Sequence, residues 1–433
     1  METLTRLADT VLTEAKRLGA DYAQCFVTEA ETREFNVDGG EFSLMRTLFD
    51  RNVSVTVLKD HRQGTLALNR FDEPSLLQAA ADCIAAAESA SPDRARVFAE
   101  GPIDRDFLTG EPEPDQDLLF TRTADLLSSM KKIHPKLLME QMIAEHTRRK
   151  SVFRSTSDVT YRTLSGGYGL MMTYSAHEGS DSSSMYGCEM MLKDLTVPFL
   201  DLPLVDREMG DVERQLRAAP VEKKFTGTAV FAPWCLAETV LGTVVENFAS
   251  DSSLIDGTSP WKDKLGQPVA DPRLSLSLAP LDGRMARGQR YTGEGFPAED
   301  FHLIRNGVLE GFRLTAYAAQ KTGLPRGGNT SSALVAAPGD KSLDEIISGI
   351  DRGILLMRFS GGHPASNGEF SGVAKNAFLI ENGRLTRPLA ETMISGNLTD
   401  MLFRLRDVSS TTFSDGNVVM PYMAFDGVTV SGK

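Results

Sequence analysis

Histidine is scarce in this chain, and what there is of it is scattered. The six residues are His61, His134, His146, His177, His302 and His363, and no two stand four or five positions apart. A helical zinc site of the H-E-x-x-H kind needs two imidazoles on one helix face, so no single segment can supply it. His177-Glu178 begins such a motif, but "HEGSDSSS" offers no second histidine and reads as a loop. Cysteine is equally sparse. Cys25, Cys83, Cys188 and Cys235 form no C-x-x-C pair, which excludes a zinc knuckle and a secreted disulfide framework and leaves reduced, mostly buried thiols. No apolar run reaches the roughly 18 residues of a membrane span. The start, "METLTRLADTVLTEAKRLGA", is amphipathic and lacks the continuous apolar stretch of a signal peptide. There is no G-x-S-x-G elbow, and "PRGGNTSS" lacks the G-K-[ST] ending of a phosphate loop. Basic charge is short as well. The formal charge of -13 and pI near 5.1 remove the broad phosphate-neutralising surface of a nucleic-acid binder and suit a cytoplasmic protein dispersed by self-repulsion.

What is present is enough apolar material, 41% of 433 residues, to fill the cores of two or three domains. Leu4, Leu7, Ala8, Val11, Leu12, Ala15 and Leu18 follow helical spacing and predict a helix over 2–18 that stops at Gly19. The period then becomes two. Val53, Val55 and Val57 line one face of a strand, and "GTLALNR" is its partner. Further helices are expected over 73–90, 115–133, 207–219 and 234–249. The proline- and glycine-bearing stretch 91–113 reads as a linker. Asn306-Gly307 and Asn382-Gly383 each mark a tight hairpin, because both residues tolerate positive φ. The densest basic run, "HTRRKSVFR" from His146 to Arg154, suits a solvated hairpin tip at a sheet edge. The fold class is therefore α+β: two helix-plus-antiparallel-sheet domains, 1–100 and 101–222, then a β-rich domain over 223–433.

Two places invite a chemical reading. His363 sits in "SGGHPASNGEFSG", whose glycines allow a ligand close to the backbone. Glu238 is the one acid early in the apolar stretch "FAPWCLAETVLGTVVEN"; the helix dipole alone favours an acid there.

Beyond these single residues, a long pattern carries information. "NVSVTVLKDHRQGTLALNRFDEPSLLQAAADCIAAA", "TGEGFPAEDFHLIRNGVLEGFRLTAYAAQKTG" and "SGGHPASNGEFSGVAKNAFLIENGRLTRPLAETMISGNLTDML" occur in that order. In these blocks the chain resembles the TldD/PmbA family, also known as modulators of DNA gyrase. The resemblance implies a two-subunit metalloprotease. One paralogue carries H-E-x-x-x-H on a helix and a cysteine near the C-terminus, which together hold zinc; the PmbA/TldE type keeps the fold and lacks the ligands. By the resemblance, Ala237 and Gly242 stand where the two histidines would be, Glu238 where the glutamate would be, and "SSTTFSDGNVVMP" has no cysteine.

The implied protein is a zinc-free subunit that pairs with a zinc-bearing TldD-type paralogue, or with itself when alone, and supports proteolysis of peptides or unfolded segments. Such substrates would bind as extended strands through sheet-edge hydrogen bonds. Gly361, Gly362, His363 and Asn397 are the expected groove residues. Two other readings stay open: a self-contained homo-oligomeric hydrolase around His363, Glu294 or Glu369, and a gyrase- or DNA-associated binding module, which the net charge of -13 disfavours.

Overall fold

Period-two hydrophobicity over the first two hundred residues builds four strands of 17 to 20 residues. The computed structural model describes every residue except His363 and Lys433. In chain order the first half contains α1 (Glu2–Arg17), β1 (Tyr22–Asp38), β2 (Glu41–Lys59), β3 (Arg62–Leu68), α2 (Glu73–Ser89), β4 (Ile103–Thr109) and α3 (Gln116–Ile133). It continues with β5 (Leu137–Ser155), β6 (Val159–Glu178), β7 (Asp181–Ser182), β8 (Tyr186–Leu192) and α4 (Val205–Glu213). These strands form one eight-stranded sheet in the order β3-β2-β1-β5-β6-β4, with β7 and β8 also on β6. The sheet takes strands from both sides of residue 100. Helices α1 and α2 cover its first strands through Leu4, Val11, Leu76 and Ile84 against Val27, Val53 and Val55.

Three expectations are corrected here. The 91–113 stretch is not all linker, because Ile103–Thr109 pairs parallel with Val159–Ser165. The basic run His146–Arg154 is not a hairpin tip. It forms the C-terminal half of β5, paired with β1 on one side and β6 on the other. Its charges are tolerated there because they are matched locally: Arg148 with Glu113 at 3.0 Å, and Arg154 with Asp9. His146 is buried, its Nε2 hydrogen-bonded to the Glu111 carbonyl at 2.7 Å. Helix α4 is also shorter than the expected 207–219.

The second half opens with β9 (Phe225–Phe231) and adds β10 (Leu276–Leu278), β11 (Phe301–Arg305), β12 (Val308–Leu309) and β13 (Leu334–Ala336). The last strands are β14 (Arg352–Ser360), β15 (Glu369–Glu381), β16 (Arg384–Leu389), β17 (Thr392–Asn397), β18 (Leu405–Ser414) and β19 (Val419–Ser431). The path β19-β17-β15-β14-β9 returns to β19, so five strands close into a barrel. Closure removes the free edges of those strands. Phe231 and Phe425 meet edge-to-face inside the core with centroids 5.8 Å apart. Both Asn-Gly pairs turn as expected: Asn306 and Asn382 have φ of 48° and 49°, and the glycines 78° and 75°. A second core joins the two halves, with Tyr168, Met172 and Met209 packed in one cluster with Val230, Leu355 and Tyr422. No helix among the described residues is long and apolar enough to cross a membrane.

Candidate functional site

The stretch after β9 does not form the single α-helix its periodicity predicts. Pro233–Cys235 is α-helical, Leu236–Gly242 is π-helical, and Thr243–Phe248 is α-helical again. The difference matters for side-chain direction. At 3.6 residues per turn, positions five apart point about 140° away from each other. In a π turn the bonding is i→i+5, so such positions come nearly into line along the helix. Ala237 and Gly242 are five apart, and both face the same cavity, as does Glu238. Leu236, Val240, Leu241, Val244, Val245 and Phe248 bury the opposite side in the barrel-domain core.

Gly242 fits this turn for a steric reason. A Cβ built on it lies 2.6 Å from the Ala237 carbonyl oxygen. In an α-helix, Gly→Ala gains about 1 kcal/mol from propensity. Here a backbone contact closer than real Cβ atoms tolerate opposes that gain. Gly242→Ala is expected to lose about 1–2 kcal/mol of stability instead. Chemical unfolding checks the sign, and a stabilised variant would show that the turn relaxes to ordinary α-helix at no cost.

The cavity measures about 580 Å³ and lies between the halves of the chain. One wall is the N-terminal sheet: Met171, Met172 and Thr173 of β6 sit opposite Glu189, Cys188 and Gly187 of β8. The other wall is the π turn with Trp234, together with Ser332, Leu334, Asp415 and Val418. Asp415 sits in the turn between β18 and β19. Its Oδ1 accepts the Asn417 and Val418 N–H groups at 2.7 and 2.8 Å. Burial raises its carboxyl above the usual range, and those two backbone donors pull against the rise. Burial likewise pushes the Cys188 thiol up, which keeps it protonated and unreactive. Behind Trp234 lies Glu208 of α4. It is buried and its Oε1 has no hydrogen-bond partner. Burial lifts this carboxyl to about 8, while hydrogen bonds from Tyr186 and Trp234 lower it.

Zinc asks for about four donors, three of them usually protein side chains in a catalytic site. Ala237 and Gly242 carry no donor atom. Among the described residues, no three His, Cys, Asp or Glu side chains converge closely enough to hold a metal ion. Positions 237 and 242 therefore offer a metal ion no side-chain ligand on this turn.

The other expected site residues lie elsewhere. Gly361 and Gly362 open the β14–β15 connection, with φ of 71° and 53°. Asn397 caps the helix Leu398–Phe403 by accepting the Thr399 N–H at 2.9 Å, and its Nδ2 donates to the Asn367 carbonyl at 3.0 Å. His363 lies outside the described residues. None of Gly361, Gly362 and Asn397 lines the cavity. Glu294 accepts the Ala316 and Tyr317 N–H groups at 2.8 and 2.9 Å, the start of the helix Ala316–Thr322. Glu369 is exposed at the start of β15. His177 closes β6, with its Nε2 2.8 Å from the Ser175 hydroxyl. Sequence reasoning missed Glu189, Trp234, Asp415 and Glu208. Only Asp415 carried a signal, the Asp-Gly of a tight turn inside "SSTTFSDGNVVMP".

From β9 to the end of β19 the chain matches the family model described as the PmbA/TldA metallopeptidase C-terminal domain, over residues 225–432. Over this stretch the chain is similar to the PmbA/TldD metallopeptidases. A metalloprotease of Methanocaldococcus jannaschii is 31% identical over 196 residues, 42% of this chain and 42% of that protein. A metalloprotease PmbA homologue of Haemophilus influenzae is 27% identical over 197 residues, 44% of each chain. The chain thus spans about two-fifths of the length of these curated relatives. In fold the likeness runs through the whole chain. TldE from Thermococcus kodakarensis superposes with a TM-score of 0.84 at 20% identity, covering 98% of this chain and 100% of that one. A Thermotoga maritima protein named as a candidate modulator of a DNA gyrase gives 0.81 at 19% identity, covering 99% and 100%.

Proposed function

We propose that this chain is the PmbA/TldE-type subunit of a two-component TldD/TldE-type metalloprotease. It supports proteolysis of peptides or unfolded segments in the cytoplasm, while a TldD-type paralogue carries the zinc. One observation carries the reading: the π turn brings positions 237 and 242 to one cavity wall with Glu238 between them, and those positions hold alanine and glycine. The geometry that would aim two ligands five residues apart is kept, and the donors are gone. With no donor at 237 or 242, Glu238 can neither hold Zn²⁺ against water nor activate a nucleophile without a Lewis acid. The chain's own contribution is then architectural, as one wall of a substrate chamber and a docking surface for the catalytic subunit.

The test uses the purified chain, alone and mixed with a zinc-bearing TldD-type paralogue. Metal analysis is expected to find far less than one zinc per chain, and peptide hydrolysis is expected only in the mixture. Stoichiometric zinc with robust turnover by the chain alone would overturn the reading.

A further inference from the structure

The cavity between the sheet and the π turn carries negative charge on both walls and nothing to balance it. Glu189 stands on the sheet wall, Glu238 on the π turn and Asp415 in the β18–β19 turn. Among the described residues that line the cavity there is no lysine, arginine or histidine. Glu189 and Glu238 form no ion pair among the described residues. Arg287 lies near the same sheet, but the acid it influences is Glu145. Unbalanced like charges disfavour one another's ionisation, and Glu189 adds to the rise of the Asp415 carboxyl.

Two further observations say what kind of cation fits. The acids do not converge: no three of them, among the described residues, come close enough to hold a metal ion. A balancing charge has to arrive on a larger group. The space between the acids is also apolar, walled by Met171, Leu334, Val418 and the Trp234 indole. At about 580 Å³ it has the size of a site for a small organic group. Trp234 is fixed from behind by a hydrogen bond to the buried Glu208 carboxyl, so this part of the wall is set before anything binds. Lysine and arginine side chains match both features, since each lays an apolar stem along apolar surface and ends in a cation. Indole is the best aromatic partner for such a cation.

We propose that the cavity takes the side chain of a lysine or arginine from an extended substrate peptide, its charged end between Glu189 and Glu238 and its stem along Trp234 and Leu334. This names the substrate class of the chamber described above and rests on that reading of the cavity. Glu189 and Glu238 are then specificity-determining residues, and the acid of the π turn acts by its charge, with no metal needed. A peptide that brings an acid to the same place meets three carboxylates and is rejected. One that brings an uncharged stem keeps the apolar contacts and loses the ionic ones.

The test titrates the purified chain at low salt with three end-blocked pentapeptides, in which two alanines on each side flank a central lysine, norleucine or glutamate. Tryptophan fluorescence reads the cavity, because Trp234 lines it and the other tryptophan, Trp261, is buried in the barrel-domain core. The lysine peptide is expected to bind saturably, the norleucine peptide about ten-fold more weakly and the glutamate peptide not at all. Added salt is expected to weaken the lysine peptide alone. Glu189→Gln and Glu238→Gln are each expected to weaken the lysine peptide about three-fold and to leave the norleucine peptide unchanged. Glu41→Gln, at an exposed acid that does not line the cavity, is expected to change neither. The peptide series needs no variant, so it decides even where a variant does not fold. Equal binding of the three peptides, or no binding of the lysine peptide, overturns the proposal. So does a lysine preference that survives both substitutions, or butylammonium binding as tightly as the lysine peptide, which would make the ligand a free amine. None of these measurements reads zinc or turnover. A mixture with a TldD-type paralogue that hydrolyses nothing would strike the two-subunit reading and leave the lysine preference standing.

Discussion

Glu208→Gln is expected to remove most of the pH dependence of stability between about pH 5 and pH 8. The carboxyl lies on α4, packed behind Trp234 and beside Tyr186, and burial raises it from 4.5 to about 8. The native state therefore holds a proton across a window in which the unfolded chain has released it. Stability attributable to this group is fully present below about pH 4.5 and is lost as pH rises through about 8. Full differential protonation of one group gives a slope of about 1.4 kcal/mol per pH unit, so the loss across the window reaches several kcal/mol. Glutamine cannot ionise. Its oxygen can accept from Tyr186 and Trp234, but its NH₂ group enters a place where Oε1 already has no partner. That orphaned donor costs about 1–3 kcal/mol at every pH. The variant should be less stable than the parent near pH 5 and more stable near pH 9, with the two curves crossing between. Asp211, Glu145, Glu294 and Asp415, also raised by burial, contribute to the slope that remains. Unfolding in denaturant at several pH values measures it. Parallel curves for parent and variant would show that Glu208 is ionised in the folded protein and solvated in a way its burial does not suggest.

Glu208 also marks the limit of what could be read before the fold was known. Helical and alternating periods gave α1, α2, α3 and the β2–β3 pair, because one buried face per element leaves its spacing in the residues. The Asn-Gly turns were legible because positive φ at two successive positions restricts residue choice. Three features had no such trace. The basic run on β5 reads as a surface because its matching acids, Asp9 and Glu113, lie far away in the chain. The π turn has the same apolar stripe as an α-helix, and only Gly242, tolerated at an unfavourable interior position, hints at it. Glu208 looks like a surface acid on a short helix. Its burial depends on Tyr186 and Trp234 arriving from different elements. The aligned positions 237 and 242 were visible through family resemblance; that both face one cavity with Asp415 and Glu189 required the fold.

The turn that carries Asp415 into that cavity gives the second large effect. Gly416→Ala is expected to destabilise the chain by roughly 3 kcal/mol or more and to loosen the C-terminal turn from β8. Gly416 has φ of 87°, and a Cβ built there would lie 1.8 Å from the Met191 carbonyl oxygen. This is a collision of the Cβ with a backbone carbonyl, which no rotamer change relieves. The same turn is fastened on every side. Met191 N–H donates to the Asp415 carbonyl at 2.6 Å, Ala286 N–H donates to the Gly416 carbonyl at 2.7 Å, and Gly416 N–H donates to Ser414 Oγ at 3.1 Å. Moving the turn to make room breaks the first of these and draws Asp415 away from Glu189, reopening the junction between the sheet and the barrel domain. Gly257→Ala separates the two contributions. Gly257 has φ of 69° but nothing within 4 Å of its added Cβ, so it measures left-handed strain alone, about 1–2 kcal/mol. The difference between the two variants is the cost of the collision. Hydrogen exchange should quicken at Met191 and along Tyr186–Leu192 in Gly416→Ala and stay unchanged in Gly257→Ala. Equal losses in the two variants, with β8 still protected, would mean that the sheet and the C-terminal turn are not held together at this point, and the cavity wall would need another support.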